Sequence, residues 1–391
     1  MAEKRTPGVP KLLRVLNDQA AMKLLMEKGP QTRAQLAEHT NMSKVTASQI
    51  VERLQRRGLV EVIGTRSGGR GPNAALYAPV SSYTYVVGVE VGRDHVQGAC
   101  ADFTGRIVGR AEAFAEGDSD PVETVRSVVT EAVRDAGLDM GKISRILLGT
   151  PGVIDPASGD VGFSWDLPAW HRGLLPALNK EFKADVVIEN DVNLATIAEQ
   201  RFGVAAGSED FLYTWYGEGI GLGVILGGQL YRGRTGAAGE MGFLPVPGGE
   251  VPDNNGVSAR RSKGSYQRVI GGEVLEGLAG EYGVEGGDPA EIFAAAEAAG
   301  EAGGRFLDEV ARRIAYGVAA ACVMLDPEVV VLGGPLGYAG GDGLAERVAA
   351  QTARIAPVNP DVVAGSVNEE TVLRGAIRSA LDTVGDQLFE S

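Results

Sequence analysis

The sequence predicts an α/β protein in which an N-terminal winged helix-turn-helix precedes two α/β lobes, and three observations carry that prediction. Residues 1–80 are basic, with 13 Lys and Arg against 6 Asp and Glu, and read as three short helices followed by a Gly-tipped hairpin. From Tyr83 onward, apolar strand-like runs alternate with helical ones, the pattern of strands covered by helices. Several of those runs end in polar, Gly-rich turns, where open α/β sheets hold their ligands. The 391 residues are 44% hydrophobic and 23% charged, enough for roughly two to three domains with cores of their own. The expected divisions are 1–80 for the head, 83–200 for a first lobe completed by a closing helix at 372–388, and 201–371 for a second lobe.

Other classes are excluded on the same grounds. No apolar stretch free of charges and breakers approaches the ~20 residues that cross a bilayer, and the apolar fraction is too high for a disordered chain. The charged segment Met1 to Lys11 lacks the apolar run and cleavage site of a signal peptide, so a cytoplasmic protein is expected. Cys100 and Cys322 sit far apart in apolar surroundings and read as core residues rather than disulfide partners. The head balances at +7 and the remainder at −21, within a total of −14. Such asymmetry lets the head face a polyanion while the body avoids one.

In the head, residues 17–28 read as a first helix with Ala21, Leu24, Leu25 and Lys28 on one face, ended by Gly29-Pro30. Thr32-Arg33-Ala34-Gln35 is a capping box that starts a second helix, ending near His39. Ser43 caps a third, running to about residue 57, whose core face is Ala47, Ile50, Val51 and Leu54 at i, i+3, i+4, i+7. Ser43, Lys44, Val45, Thr46, Ser48 and Gln49 are then left outward at the helix start, where a recognition helix enters the major groove. Gln49 is suited to reading a base edge. Residues 58–63 and 74–77 form the strands of a wing, and Arg66 and Arg70 in its Gly-rich turn reach phosphates or a narrow minor groove. Arg33, Lys44, Arg53, Arg56 and Arg57 supply further charge toward phosphates. Double-stranded DNA is the expected partner; the alternative is a three-helix protein-interaction module with a solvated basic face.

In the body, strands are expected at 86–91, 107–108, 146–149, 186–189, 211–216, 221–226 and 329–332, with helices at 122–136, 311–325 and 372–388. The Ala- and Gly-rich tract at 290–304 reads as a helix and turn, and 248–264 as a mobile loop.

Five segments at the strand ends are informative: Leu148-Gly149-Thr150-Pro151-Gly152-Val153, Ile188-Glu189-Asn190-Asp191-Val192-Asn193, Gly217 to Gly223, Gly236-Ala237-Ala238-Gly239-Glu240-Met241-Gly242, and Asp326 to Gly334. In this order, over essentially the whole chain, they resemble the ROK family of repressors, open-reading-frame proteins and sugar kinases, in its regulator form with an N-terminal winged helix. The resemblance implies a two-lobed actin/RNase H-like ATPase-type fold, a sugar site in the cleft between the lobes, and a homodimer or tetramer. It places Asp191 at the catalytic Asp of the family kinases, Asn190 at a sugar-hydroxyl ligand and Glu240 at a second sugar contact. Such groups suit a polyhydroxylated ring, whose hydroxyls both donate and accept hydrogen bonds. Asn190-Asp191 also has a purely local reading, as the N-cap of a following helix at 192–202.

The sequence departs from the family kinases on the phosphate side. Their Asp-x-Gly-Gly-Thr loop reads Glu90-Val91-Gly92-Arg93-Asp94 here, and their Gly-Thr-Gly reads Gly217-Glu218-Gly219. Carboxylates at Asp94 and Glu218 would oppose phosphate, since like charges ~4 Å apart repel by about 4 kcal/mol at an effective dielectric of ~20. No catalytic residue is therefore expected, with Asp191 serving recognition rather than acting as a base. Zinc-bearing members carry a His after Gly-Glu-x-Gly and then a Cys-rich stretch. Here Phe243 replaces the His, and Ser265 and Gln267 fall where the last Cys and a sugar-binding Glu would. With only His39, His95 and His171 besides, neither a metal nor another cofactor is expected. Gln267 keeps the capacity to hydrogen-bond a hydroxyl. Trp165 and Trp170 match a family segment that the resemblance places near the sugar mouth, and either stack on a sugar or pack in a core or interface.

The expectation is a catalytically silent, sugar-responsive DNA-binding regulator, a repressor, whose effector acts through its differential affinity for two states of the protein. Two alternatives stay open: an ATP-dependent sugar kinase with an appended DNA-binding head, and a ligand-blind regulator whose body serves only to dimerise.

Overall fold

The structure is a computed structural model that describes residues 10–67, 73–114, 120–163, 173–247 and 264–390. It opens with α1 (Pro10–Lys28), which begins earlier than the sequence suggested. Pro10 occupies the first turn, where its missing N–H leaves no bond unmade, and the leucines after it propagate the helix. The buried face of α1 is Asp18, Ala21, Met22 and Leu25, while Lys28 is exposed, so the stripe is rotated from the expected one. The cause is Arg53, whose Nη2 and Nε reach the two Asp18 oxygens at 2.5 and 3.0 Å and draw that carboxylate inward.

The capping box of α2 (Arg33–His39) is present: the Gln35 N–H donates to Thr32 Oγ1 at 3.2 Å, and the Thr32 N–H donates to Gln35 Oε1 at 3.0 Å. Ser43 Oγ accepts from the Thr46 N–H at 3.1 Å to cap α3 (Lys44–Arg56), whose Ala47, Ile50, Val51 and Leu54 are all buried. β1 (Val60–Arg66) and β2 (Ala74–Pro79) pair antiparallel, and Gln31 adds a rung against Tyr77. This is a three-helix winged head.

Two lobes of one topology follow. The first contains β3 (Tyr85–Val91), β4 (His95–Asp102), β5 (Ile107–Phe114), α4 (Pro121–Asp135), β6 (Ile143–Thr150), a small hairpin β7 (Val153–Ile154) and β8 (Val161–Phe163), α5 (Leu174–Glu181), β9 (Asp185–Asn190) and α6 (Asp191–Phe202). The second contains β10 (Phe211–Tyr216), β11 (Ile220–Leu226), β12 (Gln229–Leu230), α7 (Gln267–Ile270), α8 (Gly272–Glu281), α9 (Pro289–Ala298), α10 (Gly300–Leu325), β13 (Val329–Gly333), α11 (Gly334–Ile355), β14 (Asp361–Ala364) and α12 (Thr371–Glu390). The sheet orders are β5-β4-β3-β6-β9 and β12-β11-β10-β13-β14, each with three antiparallel strands followed by two that run parallel to the first. That repeat is the two-lobed actin/RNase H-like architecture.

The last helix of each lobe crosses to the other. α6 packs on β10 and β11, α12 packs on β3 and β6, and the two helices pack on each other. Close approach is built into the sequence: a side chain at Gly223 on β11 would collide with Thr196 of α6, and one at Gly375 on α12 would overlap the Leu194 carbonyl of α6. The head joins the same core, since Met22, Leu25, Leu54 and Leu59 belong to one buried cluster with Phe103, Leu194, Ile377 and Phe389. Burying each such side chain stabilises the fold by about 1.5–3 kcal/mol.

Candidate functional site

On the N-terminal half of α3, Ser43, Lys44, Val45 and Gln49 are exposed and Thr46 and Ser48 half-buried, while Arg66 ends β1 fully exposed. Arg70 lies outside the described residues. Arg33 is half-buried, its guanidinium 5.3 Å from the Tyr77 ring centroid, so it also packs α2 against β2. Two of the expected phosphate-facing arginines are engaged by other helices instead, Arg53 half-buried and Arg57 still exposed. Arg53 is held by Asp18, and Arg57 donates to the Leu388 carbonyl and lies 4.9 Å from the Phe389 ring centroid. Both stand beyond the exposed start of α3, where α1 and α12 offer them acceptors.

The cleft between the lobes has a volume of about 280 Å³ and gathers at the carboxyl ends of strands. Glu90 is near the end of β3, Gly152 follows β6, Asn190 ends β9, Trp215 is near the end of β10 and Pro335 follows β13. Asn190 Oδ1 accepts the Asn193 N–H at 3.0 Å and its Nδ2 donates to the Gly152 carbonyl at 3.1 Å. Asn190 thus caps α6 and lines the cleft at once. Beneath it, the buried Glu189 accepts the Asn190 N–H at 2.8 Å and Asn193 Nδ2 at 2.9 Å on one oxygen. Its other oxygen takes Arg232 Nε at 2.6 Å, tying β9 of the first lobe to the segment after β12 of the second.

Asp191, Glu90 and Glu240 line the same space. Burial pushes the Glu240 carboxyl up to about 7, with the charge of Asp191 adding to the effect. Burial likewise pushes Glu90 up to about 7, reinforced by Asp191 and Glu370. Near neutrality such carboxyls offer both a donor and acceptors, which matches the dual character of sugar hydroxyls.

Gln267 is placed differently from the expectation. It does not line the cleft: its Oε1 accepts the Ile220 N–H at 2.8 Å and its Nε2 donates to the Glu218 carbonyl at 2.5 Å. From the start of α7 its amide reaches the backbone on the loop's far side, and so fixes the Gly217-Glu218-Gly219 loop. Asp94 is likewise exposed and outside the cleft lining, whereas Arg93 enters it. Arg93 Nη1 lies 3.5 Å from Glu218 Oε2, bridging the lobes at the mouth, with the side chains 60% and 68% exposed. Glu90 and Asn193 fall in segments singled out from the sequence but were given no role of their own, and Trp215 was not foreseen; its position near the end of β10 was the available signal.

Trp165, Trp170 and residues 248–263 lie outside the described residues. Among the described residues, no group of three His, Cys, Asp or Glu side chains is placed to hold a metal, and no helix is long and apolar enough to cross a membrane. Cys100 and Cys322 are buried and unpaired, burial pushing both thiols up to about 11.

Comparison with known proteins adds to this geometry. The ROK family pattern matches residues 86–382, and a MarR family pattern matches residues 23–71. The xylose repressor of Bacillus subtilis (strain 168) is 29% identical over 237 residues, 59% of this chain and 60% of that one, so the match spans less than two thirds of that relative. The ROK hexokinase from Thermus thermophilus superposes with a TM-score of 0.63 at 28% identity, covering 78% of this chain and all of that one. A ROK family transcriptional regulator, a homolog of the E. coli MLC protein, superposes with a TM-score of 0.74 at 19% identity, over 97% of this chain and 98% of that one. At that identity the likeness is one of fold, and it extends over the head as well as the body.

Proposed function

The chain belongs to the ROK family, joined at its N-terminus to a MarR-type winged helix, and from that premise we propose that it is a sugar-responsive DNA-binding repressor without kinase activity. The observation that carries the reading is the make-up of the cleft lining. Asn190, Asp191 and Glu240, which stand at the family's sugar positions, line it together with Glu90, and the Arg93–Glu218 bridge crosses its mouth where the family kinases carry their phosphate loops. The cleft, with a volume of about 280 Å³, has room for a sugar ring. Carboxyls at Glu90, Asp191 and Glu240 favour an uncharged, hydroxyl-rich effector over a phosphorylated one.

Asn190 and Asp191 belong to the first lobe and Glu240 to the second, so a bound sugar favours the state in which the lobes approach. It shifts the population of states by its differential affinity for them. The head reads DNA through Ser43, Lys44, Thr46, Ser48 and Gln49 at the start of α3, with Arg33, Arg66 and Arg70 toward the backbone. A homodimer would set two such heads on paired half-sites.

The test is selection of genomic DNA fragments by the purified protein near physiological salt, repeated with pooled sugars and pooled sugar phosphates. The expected result is enrichment of specific fragments that an unphosphorylated sugar releases. Retention of no fragment overturns the DNA reading, and release by sugar phosphates alone overturns the choice of an uncharged effector. Sugar-dependent ATP turnover in a coupled assay overturns the absence of kinase activity.

A further inference from the structure

We infer that the Glu27–Arg201 ion pair is the contact through which the cleft governs the head, with α6 as the rod between them. The inference rests on the sugar reading for the identity of the signal and on geometry alone for its path.

Twelve residues make α6 about 18 Å long. Its first turn holds Asp191 and Asn193 at the cleft, and its last turn holds Arg201. Arg201 Nη2 lies 2.6 Å from Glu27 Oε1, an ion pair by distance whose N–H is not directed at the oxygen, with the side chains only 25% and 34% exposed. Lys23 approaches the same Glu27 oxygen no closer than 3.9 Å. Glu27 stands in the last turns of α1, and α1 is tied to the recognition helix α3 by the two-pronged Asp18–Arg53 pair. Cleft and DNA face are therefore joined by two helices and two ion pairs.

The rod is stiff where it must be. Its backbone lies directly against α12 at Leu194 and Gly375, so no side chain cushions the contact, and movement of one helix is felt by the other. The head meets the body through the shared core, and open grooves of about 580 and 810 Å³, both lined by Met26 and Arg201, lie beside the Glu27–Arg201 contact. α12, the helix against which α6 is packed, also holds the head, through Arg57 at Leu388 and Phe389.

The path is tested without any ligand by setting the cleft opening chemically. Arg93→Cys and Glu218→Cys place thiols on the two lips, to be bridged by bis-maleimides of short and long spacer. The buried Cys100 and Cys322 stay out of the reaction. Hydrogen exchange of α1 is then compared between the two spacers, in this background and with Glu27→Gln or Arg201→Gln added. The expected result is at least a fivefold difference in α1 exchange between spacers, lost in either neutral variant and restored by the swap Glu27→Arg with Arg201→Glu. A full difference that survives Glu27→Gln, or no difference in the parent pair, overturns the inference. A panel of unphosphorylated aldopentoses and aldohexoses, added to the uncrosslinked protein, keeps the two readings apart. If spacers move α1 and no sugar of the panel binds, the path stands and the sugar reading falls; if a sugar binds and α1 ignores the spacers, the path falls and sugar binding stands.

Discussion

The residues of α3 proposed to face DNA lie between Ser43 and Gln49, whereas the cleft draws its lining from Glu90 to Pro335. In the first region a cap and an apolar stripe decide which side chains are exposed, so a change there acts on its own turn of helix. In the second, parallel pairing of β3 with β6, of β6 with β9, and of β10 with β13 brings distant loops together. A change anywhere in those sheets is felt at the site. The difference teaches that reading DNA and sensing a ligand are separable here up to the few contacts that join head to body.

The sharpest way to break that contrast is Leu54→Ala. Leu54 is wholly buried under α3, and its truncation should cost about 2–5 kcal/mol. Urea unfolding followed by hydrogen exchange should show the loss concentrated in α1 to α3, with a sugar-induced thermal shift of the body retained. An equal loss of protection in both lobes would erase the distinction. Next in size is pH. In the folded body Glu90 and Glu240 keep their protons up to about 7, while in the unfolded chain they release them near the ordinary ~4.3. Their contribution to stability is therefore fully present below that ordinary value and is lost as pH rises through about 7, a few kcal/mol for the two together. The urea midpoint should be higher at pH 5.5 than at pH 8, and Glu90→Gln or Glu240→Gln should flatten the difference.

Asp191→Ala should weaken sugar binding by roughly ten- to a hundredfold, from the loss of about 1.5–3 kcal/mol of hydrogen bonding to a charged group. Calorimetric titration checks this, and DNA affinity without sugar should not move. Smallest is the pair on α3. Gln49→Ala should cost about 1–3 kcal/mol on the preferred sequence and relax specificity at one position. Lys44→Ala should instead weaken all sequences alike and lower the salt slope by about one. If both variants behave alike in a salt series, Gln49 does not read a base.

How much of this was readable in advance follows the same division. The capping box at Thr32, the Ser43 cap and the buried stripe of α3 are local events, and they stand where the sequence put them. Asn190, Asp191 and Glu240 were named from a resemblance, and the strand-end geometry places them around one cavity. β4 was missed because half-buried His95 and Gln97 interrupt its apolar run, and α11 because six glycines between Gly333 and Gly343 imitate a loop, with a real kink at Gly341. The engagement of Arg53 and Arg57 depends on Asp18 and Leu388, and that of Gln267 on loop backbone far along the chain. No pattern within one helix reports such partners.

The exchange of α6 and α12 between the lobes has a consequence for synthesis. The head is made first, with its own caps and buried stripe, but Leu388 and Phe389, which hold Arg57, belong to the last helix of the second lobe. β3 and β6 must likewise wait for α12 to cover them. A growing chain therefore carries a finished head on an unfinished mount, and restraint of the head is the last property it acquires.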